Sequence, residues 1–167
     1  YYSAFEACVQ SVMASFNSWN GVKMHGHEYL LTDVLRGQMG FNGLVVGDWN
    51  GHGEVPGCTN ANCPESFNAG VDIYMAPDEW KELYTNTVRA VKSGDISENR
   101  LDDAVRKILT VKQRLGMLDG RKPHEYENYV GKIEHRELAR EAVSKSLVLL
   151  KNNDNLSVSY THLRAHE

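Results

Sequence analysis

Gly43-Leu44-Val45-Val46-Gly47-Asp48-Trp49-Asn50-Gly51 is the stretch that decides the fold. Gly43 frees the entry. Residues 44–46 form a short continuous apolar run, the mark of a strand buried on both faces as in a parallel sheet. Asp48 stands where that run ends. In α/β sheets and barrels, chemistry gathers at the carboxyl ends of the strands. Asp48 is therefore a candidate catalytic group, and Trp49 a flat apolar surface beside it. The local sequence leaves a second reading open, in which Asp48 caps the next turn and Trp49 fills core.

Upstream, Ser11-Val12-Met13-Ala14-Ser15-Phe16 reads as another strand. Asn17-Ser18-Trp19-Asn20-Gly21 follows as turn formers around an aromatic. In 28–39, Leu30, Leu31, Val34 and Leu35 share one helical face, and Gly40 stops the helix. Residues 1–9 read as the end of a helix, with Cys8 as a buried thiol in it. Downstream, 50–63 is a Gly/Asn/Pro loop and 65–69 a short helix. Residues 71–75 are a third strand, stopped by Pro77. A helix is expected over 78–93, ending at Gly94. Ser97 precedes the next, whose buried stripe is Leu101, Ala104, Val105, Ile108, Val111, Lys112 and Leu115, with Gly116 at its end. Residues 118–132 read as a linker, 134–146 as a helix and 147–150 as a new strand.

The expected strands start near 11, 43 and 71, a spacing of about 30 residues with helices between, as in successive βα units. Three units cannot close a barrel of eight. Because the chain opens in mid-helix, it reads as a piece of a larger protein, and the missing leader says nothing of its compartment. Residues 156–167 have neither helical nor strand periodicity and resemble a translated sequencing adaptor, so they read as a non-native tail.

The formal net charge of −4 points neither to nucleic acid nor to an anionic membrane surface. No apolar run approaches the roughly 20 residues of a membrane span. Of the three cysteines, Cys58 and Cys63 bracket a loop. They are either a disulfide, which would imply an oxidising compartment, or two unpaired thiols.

Five segments in order resemble the family 3 glycoside hydrolases. They are Val12-Met13-Ala14-Ser15-Phe16-Asn17-Ser18-Trp19-Asn20-Gly21-Val22-Lys23-Met24-His25; Leu30-Leu31-Thr32-Asp33-Val34-Leu35-Arg36 with 40–49; Asn68-Ala69-Gly70-Val71-Asp72-Ile73-Tyr74-Met75; Gly94-Asp95-Ile96-Ser97 with 100–109; and Ala139-Arg140-Glu141-Ala142 with 146–152. The resemblance covers about residues 1–155. Its first segment is most similar to the exo-β-glucosidase (β-glucan glucohydrolase) branch.

That resemblance implies an α/β protein: the C-terminal part of a (β/α)8-type, TIM-like barrel, then the start of an α/β sandwich domain. On this reading 1–117 hold the last three βα units, 118–132 the linker and 133–155 the opening of the sandwich. The implied nucleophile is Asp48, although Gly47 stands where the family usually has Ser. A retaining glycosidase needs an ionised carboxylate to attack the anomeric carbon and a second, protonated carboxyl about 5–5.5 Å away. The resemblance puts that acid/base beyond Asn155, and a Lys-His pair and other sugar-binding residues upstream of Tyr1. It also implies that Trp49 stacks on a sugar ring and that Met13 and Phe16 line the pocket, against the plainer reading of those two as core. It implies β-glucan oligosaccharides or β-glucosides as substrates, no metal or organic cofactor, and a periplasmic or secreted location.

Three rival readings stand beside it. His25, His27, His52, Cys58 and Cys63 could converge on a metal, but no pair has finger spacing. The fragment could bind carbohydrate without catalysis; Glu54, Glu65 and Glu79 are local carboxylates, of the kind usually solvated in loops. Lastly, the parent could be a β-N-acetylglucosaminidase of the same family, although the chain has no Asp-His dyad motif.

Overall fold

Strand β1 (Ser11–Met13), strand β4 (Leu44–Trp49) and strand β5 (Ile73–Met75) form a parallel three-stranded sheet in the order β1-β4-β5 in the computed structural model, which describes residues 1–120 and 129–153. Ser11 pairs with Leu44 and Met13 with Val46, so the carboxyl ends of β1 and β4 lie at one edge. On the other side Val46 pairs with Ile73 and Trp49 with Met75. Gly47 and Asp48 of β4 thus stand opposite the single Tyr74 of β5, and the extra residue makes a bulge there. Helical crossovers join the strands, which makes the fold α/β with successive βα units.

Val45 and Val71 are wholly buried and pack with Ala14, Leu31, Leu35 and Phe41 into one core. Leu31 and Leu35 come from the helix Tyr29–Gln38, which is wound with wide π-type turns; at its end Met39 N–H donates to Val34 O over 2.9 Å. A second core joins Phe67 of α2 (Pro64–Ala69), Ala90 of α3 (Trp80–Ser93), Ile96, and Ala104 of α4 (Glu98–Arg114). Ser97 caps α4 by accepting the Arg100 N–H. Gly43 owes its place to close approach, since a Cβ there would lie 2.3 Å from Gln10 O and 2.5 Å from Phe41 Cζ.

A buried ion cluster ties these pieces to β4. The Asp72 carboxylate is fully enclosed. Its Oδ2 accepts from Arg36 Nη2 at 2.6 Å and from the Val45 N–H at 2.8 Å, and its Oδ1 accepts from Arg100 Nη2 at 3.0 Å. Arg36 also donates to Gly70 O, and Arg100 to Phe67 O and Val71 O. The Arg100 guanidinium lies 4.5 Å from the Phe67 ring centre. Backbone carbonyls therefore place the two cations, the Val45 N–H places the anion, and the three charges hold one another.

Several sequence expectations are corrected. Helix α1 (Tyr2–Glu6) ends before Cys8, which is exposed with φ +60° because the chain turns there towards β1. The first strand stops at Met13. The turn formers at 17–21 are a hairpin: β2 (Ser18–Trp19) pairs with β3 (Val22–Lys23) across Asn20-Gly21, both at positive φ. Part of the loop after β4 is a 3-10 turn, Gly51–Glu54. The third strand begins at Ile73, since Val71 and Asp72 are spent on the core and the ion cluster. The helix expected from 78 starts at Trp80. Of the α4 stripe, Val105, Lys112 and Leu115 are exposed, because the three strands offer less apolar surface than the helix carries.

The chain divides into two compact units, 1–121 and 122–167. In the second, α5 (Ile133–Ser146) is the helix expected over 134–146. Leu147-Val148-Leu149-Leu150 is not a strand: it pairs with nothing among the described residues and its side chains are exposed. An apolar run makes a strand only when a neighbour takes up its backbone hydrogen bonds. The middle of the linker and the tail 156–167 lie outside the described residues.

Candidate active site

Asp48 is set by the bulge. In a regular ladder its amide would pair with a neighbouring strand; here the N–H donates to Nε2 of His25, at 2.8 Å. Its own Oδ1 accepts the Trp49 N–H at 2.7 Å. The carboxylate is partly exposed at the carboxyl end of the central strand, and the Trp49 ring is 58% exposed next to it. Met13 and Phe16, at the end of β1, are exposed at 48% and 43%, so neither is core in this unit. The Phe16 ring lies 6.0 Å from the His25 ring. Asp48, Trp49, Met13 and Phe16 thus lie at one end of the sheet, and the last three are exposed apolar side chains.

The sequence reading placed His25 only among the rival metal ligands and missed its contact with Asp48. It follows the β2–β3 hairpin in the 3-10 turn Met24–Gly26 and is 1% exposed. Burial depresses its pKa below 6.5; the nearby Asp48 charge opposes that shift, while His52 and Lys23 reinforce it. A neutral ring with its proton on Nδ1 is the form that can accept the Asp48 N–H. Gly51 makes room for it, as a Cβ there would lie 2.2 Å from His25 Cε1. No local pattern signals this contact, which joins residues 23 apart.

The loop after β4 is pinned back on the sheet. His52 Nε2 bonds Asn60 O at 2.8 Å, Tyr74 donates its phenol proton to Cys63 O at 2.5 Å, and Asn86 Nδ2 donates to Ala61 O at 2.8 Å. Burial raises the Tyr74 pKa, which keeps it a donor. The Cys58 and Cys63 sulfurs are bonded to each other across this loop. Of the rival metal ligands, His25 and His52 make these contacts instead, and His27 accepts from the Leu30 N–H. Among the described residues one grouping has metal-ligand proximity, Cys58, Cys63 and Glu65, and its two sulfurs are already bonded. Glu54 pairs with Lys23 at 3.3 Å, and Glu65 Oε2 lies 3.2 Å from Cys58 Sγ.

Residues 1–111 match the model of the glycosyl hydrolase family 3 N-terminal domain. The chain is 33% identical over 162 residues to beta-glucosidase B of Emericella nidulans, covering 93% of this chain and 18% of that protein. It is 35% identical over 174 residues to a beta-xylosidase of Formosa agariphila, covering 93% and 24%. It is 34% identical over 164 residues to the periplasmic beta-glucosidase of Salmonella typhimurium, covering 91% and 21%. Among solved structures, the exo-1,3/1,4-beta-glucanase of a Pseudoalteromonas species superposes with a TM-score of 0.78 at 53% identity, over 91% of this chain and 20% of that one. The chain thus spans about a fifth of the length of the curated relatives it matches.

Proposed function

The chain belongs to glycosyl hydrolase family 3, and from that premise we propose that its parent protein is a retaining exo-β-glucosidase, which removes glucose from the non-reducing ends of β-glucans or β-glucosides. The observation that carries the reading is the single carboxylate of Asp48 at the carboxyl end of the central parallel strand, among the open faces of Trp49, Met13 and Phe16.

Asp48 attacks the anomeric carbon. The C–O bond to the leaving sugar breaks, and a second carboxyl, supplied by the parent outside these residues, protonates the leaving oxygen. Water then cleaves the glycosyl ester, and the anomeric configuration is retained. Trp49 stacks on the apolar face of a pyranose, while Met13 and Phe16 wall the pocket. Barrel units at 1–117, a linker at 118–132 and the opening of a sandwich domain at 133–155 belong to the same reading. An oxidising location, periplasmic or secreted, is supported by the bonded Cys58–Cys63 pair and by the periplasmic relative.

Proton NMR of the first product tests the mechanism. The full-length parent should release β-glucose from a β-glucoside before mutarotation. Release of α-glucose would refute the double displacement, and faster cleavage of a β-xyloside or β-N-acetylglucosaminide would refute the sugar.

A further inference from the structure

We propose that His25 is a positioning residue: by accepting the Asp48 N–H it locks the β4 bulge and so aims the carboxylate at the sugar. This rests on the reading of Asp48 as nucleophile and extends it to a buried group outside the substrate pocket.

Three observations meet at this contact. The bulge between Val46 and Trp49 takes the Asp48 amide out of the ladder, so the backbone needs another acceptor there. His25 Nε2 supplies it at 2.8 Å from a ring that is 1% exposed. The space around that ring is tailored: a Cβ on Gly51 would lie 2.2 to 2.3 Å from its atoms, and one on Gly47 would touch Cδ2 at 3.4 Å. A ring packed this closely fixes the amide, and with it the Cα that carries the carboxylate.

The lock works only with a neutral imidazole. A proton on Nε2 would set two donors against each other. The groups facing the ring are the Asp48 carboxylate, His52, and Lys23, itself paired with Glu54. Burial holds the ring neutral below pH 6.5, with His52 and Lys23 reinforcing it and Asp48 opposing. The unfolded chain therefore takes up this proton first as pH falls below 6.5. Stability contributed by His25 is full above 6.5 and declines until the folded ring itself titrates. The lock opens at that lower pH.

The test uses the full-length parent, a 2-deoxy-2-fluoro glucoside and two substitutions of similar volume. His25→Gln keeps an acceptor near Nε2, whereas His25→Met removes it. The trapping rate should fall about 10- to 100-fold in His25→Met. It should stay within about threefold of wild type in His25→Gln. Affinity for a competitive glucose analogue should be unchanged in both. A folded His25→Met protein that traps on Asp48 at the wild-type rate overturns the proposal, as do equal losses in both variants. If neither variant folds, the wild-type trapping rate against pH decides: two steps on the acid limb support the lock, and a single step overturns it. An adduct on another carboxylate sinks the nucleophile reading itself, whatever the His25 variants do.

Discussion

At Asp48 the question is what one carboxylate can do. A capping role would turn it inward to backbone donors. Instead it takes one short bond from the Trp49 N–H and leaves the rest of its acceptor capacity at the carboxyl end of the central strand. Acceptor capacity left unsaturated by donors is what a nucleophile requires. Gly47 beside it stands where the resemblance would put Ser. A Cβ there meets His25 Cδ2 at 3.4 Å and Ile73 O at 3.5 Å, which is ordinary contact. Gly47→Ser should therefore fold and keep kcat within about threefold. Steady-state kinetics on the parent would check it, and a loss beyond about tenfold would show that the glycine is required.

Among the elements, β4 is aimed from both ends. His25 holds its carboxyl end, and the Arg36–Asp72–Arg100 cluster holds its start through the Val45 N–H. Asp72→Asn keeps the shape but leaves two largely buried guanidiniums facing a neutral amide. Removing one partner of a buried pair costs about 3–5 kcal/mol. Denaturant unfolding of the parent should show a loss of that order, and a loss below about 1 kcal/mol would mean that the cluster merely balances its own desolvation. Much of this level was legible in the sequence. Strand and helix order followed from the runs at 44–46 and 71–75 and the stripe of Leu30, Leu31, Val34 and Leu35. The cluster was not, because its bonds join residues 28 and 36 apart and leave no periodic trace. The Asn20-Gly21 hairpin did have a local signal, a two-residue turn that favours positive φ, but its strands are too short to alternate. The exposed 147–150 run failed in the opposite direction: its apolar pattern was clear, and the pairing that would make it a strand is not among the described residues.

At the level of the whole molecule, the parallel sheet has three strands among the described residues, with β1 and β5 at its edges. Apolar side chains on α4 and α5, such as Leu109, Leu138 and Val143, are exposed. Parallel sheets are normally covered on both faces, and bare edges invite association. Expressed alone, residues 1–167 should unfold without a sharp transition and hydrolyse no aryl β-glucoside. Calorimetry and a chromogenic assay would check this, and cooperative unfolding with measurable turnover would contradict it. The Asp48 end was readable because a carboxylate and an indole close the stretch that begins with an apolar run. The proposed mechanism draws its second carboxyl from the parent outside these residues, so no residue type here could signal it.

The central claim is that Asp48 forms the bond to the sugar. Incubating the full-length parent with a 2-deoxy-2-fluoro β-glucoside, digesting it and sequencing the labelled peptide by mass spectrometry tests that directly. The account predicts one fluoroglucosyl group esterified to Asp48 and lost on turnover with an acceptor; a label on any other carboxylate, or no covalent label in an enzyme that the compound inactivates, would contradict it.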